Sequence, residues 1–264
     1  MVERIFNIGL KHTGQDRESG GRMHWRVVVP VICLLAIGSL RSEIVLANSL
    51  QTIERLNQEQ FQDFTENLSA ATQYTSLAPP EALGALGFDV GLAVSITDIR
   101  GSLFDLASDG DFTGSNLIVP RVQVQKGFLF GLDIGASLGA IPDTDATLVG
   151  GEVRYSIVRG DVVTPTVSIR GTHSEVLGLD DYSQRSTGIE LGISKGFLIL
   201  TPYASIGIVR SKGDPDNIDG LRSETFNQTK VTIGAVVNIG VALTAEVANI
   251  DDFQTYSAKL GIRF

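Results

Sequence analysis

The chain has one cysteine, Cys33, so no disulfide can form within it. Histidine is scarce as well; beyond residue 47 there is only His173. No apolar run of about 20 residues follows residue 47, which argues against a helical membrane protein. Positive charge is also short. Thirty acidic residues against 21 Lys and Arg give a formal net charge of -9, which argues against a nucleic-acid partner held through its phosphates.

Cys33 sits in the one apolar stretch, Val27 to Leu40, behind Arg26 and ahead of Val45-Leu46-Ala47. A basic start, a short greasy core and small residues before a cut read as a secretory signal. Residues 1–47 are therefore expected to be a signal region, with cleavage after Ala47 and Met23 an alternative start. The mature chain then carries no thiol. Residues 48–84 read as a helix and a linker. Asn48 or Ser49 can cap it, Leu50, Ile53, Leu56, Phe61, Phe64 and Leu68 form a stripe, and Pro79-Pro80 ends it. A polar lumen would offer this stripe no partner, so the helix is expected at the periplasmic face or membrane interface, with plugging of the lumen the alternative.

From residue 85 onward the hydrophobic period is two. Leu86, Phe88, Val90, Leu92, Val94 and Ile96 alternate with Gly87, Asp89, Gly91, Ala93, Ser95 and Thr97. The pattern recurs about ten times to the end of the chain, in segments long enough to cross a bilayer at a tilt. Tight turns at Lys126-Gly127, Arg159 to Asp161, Lys195-Gly196 and Ile239-Gly240 alternate with longer polar loops at 101–116, 142–146, 177–184 and 211–224. Short turns at one end and long loops at the other predict an all-β fold. It is a closed antiparallel up-and-down transmembrane barrel of about ten strands over 85–264.

Periodicity alone does not say which face is inside. A soluble barrel would bury the apolar face. Glycine-rich polar faces and aromatics near strand ends favour the inverse, with lipid outside and a polar lumen. That lumen would hold Asp89, Arg121, Asp133, Glu152, Arg154, Arg170, Glu190, Lys230, Glu246, Lys259 and Arg263. Charges of both signs in a narrow bore must pair or stay hydrated. The expectation is an ion-paired, largely filled interior, with Asp133 or Glu190 facing Arg154. A small-solute or lipid channel is the alternative.

The final strand alternates Tyr256, Ala258, Leu260, Ile262 and Phe264 with Ser257, Lys259, Gly261 and Arg263. This ending resembles the C-terminal assembly signal of bacterial outer-membrane β-barrels, carried here by Tyr256, Leu260, Ile262 and Phe264. Val119-Pro-Arg-Val-Gln-Val-Gln-Lys-Gly127, Ser194-Lys-Gly-Phe197 and Thr201-Pro-Tyr203 resemble recurring elements of a Gram-negative outer-membrane barrel family without an established activity. The resemblance implies an outer-membrane location, a porin-like fold, contact with outer-membrane lipid and lipopolysaccharide, and recognition by the barrel-assembly machinery.

Catalysis has one weak candidate. His173, near the loop end of the fifth strand, would sit where rim enzymes of the outer membrane, proteases or lipid-modifying barrels, keep their catalytic groups. Its neighbour Ser174 faces the other way, though Asp180 or Asp181 could orient His173. A rim enzyme is the less expected alternative, and no cofactor or metal is expected. The run Asp214 to Gly220 resembles a calcium loop but has Ile218 at a ligand position. Acidic loop residues, among them Asp109, Asp111, Asp143, Asp145, Asp180 and Asp181, could bridge to lipopolysaccharide through divalent cations. A periplasmic partner for the N-terminal helix is a further expectation.

Overall fold

A computed structural model of the chain describes residues 53–264 except 108–113, 143, 162, 180 and 217. The expected signal region with its cut after Ala47, the start of the expected helix, and Asp109, Asp111, Asp143 and Asp180 lie outside the described residues.

Ten strands form a closed barrel: β1 (Phe88–Asp98), β2 (Asn116–Gly127), β3 (Leu132–Ala140), β4 (Thr147–Val158), β5 (Thr166–Leu177), β6 (Tyr182–Ser194), β7 (Leu200–Pro215), β8 (Glu224–Asn238), β9 (Ala242–Ile250) and β10 (Phe253–Arg263). Each pairs antiparallel with its sequence neighbours. β1 and β10 close the ring from Asp89↔Arg263 to Thr97↔Thr255. Phe264 completes the seam. Its amide donates to the Phe88 carbonyl at 3.0 Å and its carbonyl accepts from the Phe88 amide at 2.6 Å. Closure removes the free edges that an open sheet would expose.

Alternation fixes the two faces, because successive side chains leave a strand on opposite sides. Leu92, Val122, Leu138, Val153, Ile189, Ile206, Ile233 and Tyr256 point outward and are exposed. Asp89, Gln123, Asp133, Glu152, Arg154, Glu190, Lys230 and Lys259 point inward and are buried.

Boundaries differ from the sequence reading in two ways. β6 begins at Tyr182 and β7 runs on to Pro215, inside segments expected to be loops, so the barrel is taller on that side. The outward residues near these ends, including Arg185, Arg210 and Lys212, are polar, which concealed the strand ends from a search for apolar alternation. The β2–β3 turn also comes later than Lys126-Gly127. Leu129–Gly131 make a single 3₁₀ turn, with Phe130 at φ 64° and Gly131 at φ 84°.

The expected placement of the helix outside the barrel is corrected by the structure. After a 3₁₀ turn at Ile53–Arg55, helix α1 (Gln58–Thr72) lies within the bore. Asn57 caps it with a reciprocal box: Asn57 Oδ1 accepts from the Gln60 amide and Gln60 Oε1 from the Asn57 amide, both at 3.0 Å. Phe61, Phe64 and Leu68 are fully buried. Their partners are inward residues from the loop ends of the strands, Leu117, Val119, Leu148, Val176 and Tyr182, together with Ile141. Ile99 and Phe104 join them, the latter from the short helix α2 (Gly101–Ala107). The lumen is thus not polar throughout. Near the loops, strands such as Leu117-Ile118-Val119, Leu148-Val149 and Val176-Leu177 are apolar on both faces, one side for the exterior and one for α1.

Candidate functional site

The bore is the only part of the described structure where charge, burial and shape converge, and it is occupied by the chain itself. From Gln73 the backbone leaves α1 and runs without regular secondary structure to the turn end, where β1 begins. Such a segment leaves most of its backbone groups without partners of its own, and Pro79 and Pro80 have no N–H at all. The wall supplies the missing partners in sequence.

Arg121 Nη2 donates to the Ala71 carbonyl at 2.9 Å. Lys230 Nζ donates to Tyr74 O at 3.0 Å and Gln125 Nε2 to Ser76 O at 2.9 Å, with Gln123 bonded to Thr75 O between them. Lower down, Arg170 Nη2 reaches Ala78 O at 3.3 Å and Arg154 Nη1 reaches Pro79 O at 3.0 Å. Ser156 Oγ donates to Pro80 O at 3.3 Å. Asp133 accepts from the Leu83 amide at 3.2 Å. The periodic placement of Arg121, Gln123 and Gln125 on β2 is what lines three donors along one edge of the segment.

Glycines make the space. A Cβ on Gly150 would lie 2.7 Å from the Tyr74 ring, and one on Gly135 would lie 3.0 Å from its hydroxyl. One on Gly192 would lie 2.7 Å from Pro80 Cγ. Gly135 and Gly192 read from sequence as the lining of a narrow wall; in the structure they and Gly150 are the mould of the plug.

Most of the buried charges also face one another. Arg154 pairs with Asp133 at 2.7 Å, both fully buried. Glu152 lies farther from Arg154, at 3.9 Å. Glu190 is shared by Arg170 and Lys230, each at 3.1 Å, and Arg170 also contacts Glu152 at 3.2 Å. At the turn end Asp89 holds Lys259 at 2.9 Å and Arg263 at 3.2 Å. Glu246 accepts from the Tyr203 hydroxyl at 2.7 Å. Arg121, read from sequence as one half of a cross-bore ion pair, instead bonds Ser95 Oγ and the carbonyls of the plug. The sequence reading missed Tyr74, Gln123, Gln125 and Tyr203. The signal for the glutamines was there, as amides at alternate inward positions beside Arg121.

His173 stands on the outer wall of β5, half exposed, with Nδ1 2.8 Å from Thr187 Oγ1 and Nε2 3.1 Å from Glu175 Oε1. Its partners are these two, not Asp181, and Ser174 is buried on the opposite, inward face. Of the terminal residues, Tyr256, Ile262 and Phe264 are exposed on the outer wall, and the Phe264 ring packs on Phe88 with centroids 3.8 Å apart.

No family model matches the chain, and no curated protein matches it in sequence. Among solved structures it is similar to the KdgM porin at 9% identity, with 67% of this chain and 99% of that one covered and a TM-score of 0.35. It is similar to LpxR from Salmonella typhimurium at 13% identity, over 66% of this chain and 100% of that one, with a TM-score of 0.38. For Neisserial surface protein A the identity is 12%, the coverage 67% and 95%, and the TM-score 0.29.

Proposed function

We propose that this chain is an outer-membrane β-barrel protein of structural or interaction role, its lumen closed by its own N-terminal segment. The membrane reading is supported by the inversion of the usual polarity. Large apolar side chains cover the outside of the strands, while buried ions lie within. Water would not tolerate so wide an apolar wall on a soluble barrel.

Closure is carried by one observation, the row of plug carbonyls from Ala71 to Pro80 taken up by Arg121, Lys230, Gln123, Gln125, Arg170, Arg154 and Ser156. A conducting state requires this segment to leave. That would remove the carbonyl partners of these cations and expose the apolar stripe of α1 to water.

The test is electrical and biochemical together. The protein is expected to fractionate with the outer membrane, to run faster unheated than boiled on a denaturing gel, and to give no steady conductance in planar bilayers. Stable single-channel openings of the wild-type chain would refute closure. Recovery of unextracted protein as a soluble periplasmic species would refute the membrane reading.

A further inference from the structure

The four short hairpins share a feature that a water-facing turn does not need. Each has apolar side chains at or beside its tip. These are Leu129 and Phe130 between β2 and β3, Val163 between β4 and β5, Phe197, Leu198 and Ile199 between β6 and β7, and Ile239 and Val241 between β8 and β9. They are highly exposed: Phe130 is 79% accessible, Val163 84%, Ile239 64% and Leu198 fully so. Leu198 and Phe130 are held at positive φ, 49° and 64°, a conformation that bulky residues rarely adopt.

Many of the polar groups of the same turns are bonded within the chain. Asp161 Oδ1 accepts from the amides of Val163 and Thr164, both at 2.7 Å. Lys195 Nζ donates to the carbonyls of Asp161 at 2.8 Å and Thr164 at 3.2 Å. Phe197 and Leu200 exchange both backbone bonds, and the Asn238 amide donates to Ile199 O at 2.8 Å. The Ile239 amide donates to Val241 O at 3.1 Å. Internal satisfaction of backbone groups is what a hydrocarbon surrounding demands.

The height of the apolar wall on one strand points the same way. On β6 the outward apolar residues are Ile189, Leu191 and Ile193; above them stand Thr187 and Arg185. A tilted strand gains about 2.6 Å of height per residue, so Ile189 to Ile193 span only about 10 Å of the roughly 25 Å apolar band of a membrane barrel. Continuing through Phe197 to Leu198 raises the span to about 23 Å.

We propose that the turn-end rim is a lipid-contacting surface, seated at the acyl-chain boundary of one leaflet, and that its turn tips complete the apolar band. The proposal rests on the membrane reading above. The occupant is phospholipid and not a protein partner for two reasons. The tips are spread over all four hairpins and so around the whole circumference, where a docked protein would cover one sector. They also continue the outer wall, where Lys195, between Ile193 and Phe197, turns its ammonium onto the Asp161 and Thr164 carbonyls. The barrel therefore sits low, with the polar outer faces of β5 to β8 standing clear of the opposite leaflet.

Tryptophan placement tests this, because Trp25 is the only tryptophan in the chain. In the full chain carrying Trp25→Phe, Leu198→Trp is compared with Leu191→Trp on the mid-wall, both reconstituted in phosphatidylcholine vesicles. Leu191→Trp is expected to be quenched by lipids brominated deep in their chains. Leu198→Trp is expected to show blue-shifted emission, quenching by lipids brominated near the headgroup, and little quenching by aqueous acrylamide. Phe130→Trp, on another hairpin and already aromatic, should match it and serves where Leu198→Trp fails to fold. Strong acrylamide quenching with no bromine effect at both rim sites, beside a quenched Leu191→Trp, overturns the rim proposal and leaves the membrane reading standing. Loss of bromine quenching at Leu191→Trp as well overturns the membrane reading itself. Acrylamide access in pure lipid that disappears in native membranes assigns the rim to a protein partner and also refutes the proposal.

Discussion

Arg154→Ala should be among the most damaging single changes in the barrel. The side chain is fully buried and makes three hydrogen bonds: to Asp133 Oδ2 from Nη2 at 2.7 Å and from Nε at 3.2 Å, and to Pro79 O at 3.0 Å. Removing it leaves the Asp133 carboxylate, also fully buried, with the Leu83 amide at 3.2 to 3.3 Å as its remaining hydrogen-bond donor. Breaking a buried pair from one side costs about 3–5 kcal/mol because a charge is stranded. Losing the bond to the plug carbonyl adds about 1 kcal/mol. The expected loss is about 4–6 kcal/mol. The double variant Arg154→Met with Asp133→Leu strands no charge. It should recover much of that loss and retain a deficit of about 2 kcal/mol from the unpartnered Pro79 carbonyl and Leu83 amide. Urea titration of the reconstituted protein, read as the folded fraction by mobility of unheated samples, gives both values. A single-variant loss below about 1 kcal/mol would mean that water reaches Asp133 freely and that the bore is not closed at this level. A double variant as unstable as the single would show that stranded charge is not the cause.

Deletion of Phe264 removes both backbone bonds to Phe88 and the ring contact, so assembled protein in the membrane should fall sharply; Phe264→Ala keeps the backbone bonds and should fall less, as immunoblots of folded and unfolded forms would report. His173→Ala breaks only contacts on the exposed outer wall, so stability should change by no more than about 0.5 kcal/mol, and a specific loss of protease or lipid-hydrolase activity would contradict the placement of His173. Because α1 enters from the loop end, Glu54→Cys in a Cys33→Ser chain should react with a membrane-impermeant maleimide in intact cells while Thr164→Cys on a short turn should not; the reverse pattern would invert the barrel's orientation.

The period of two in residues 88–263 determined the architecture, because backbone geometry alone sends alternate side chains to opposite faces. That is why the inward positions of Asp89, Asp133, Arg154 and Lys259 and the closing role of the final strand were legible as parity. Parity is local, and it does not say how high a residue sits in the bore or what stands opposite. Which carboxylate meets which cation depends on the stagger between strands, as when Asp133 comes level with Arg154 across the β3–β4 pairing. The contents of the lumen were hidden for a related reason. Phe61, Phe64 and Leu68 find partners only where Leu117, Val119, Leu148 and Val176 are gathered from separate strands into one apolar tier. Gly135, Gly150 and Gly192 were visible as small residues, but only the threaded segment gives their size a use. Sequence thus determined a closed barrel with an ionic interior. The tertiary structure decided that the ions hold a length of the chain's own backbone, because that pairing exists only once ten strands have brought their inward faces together.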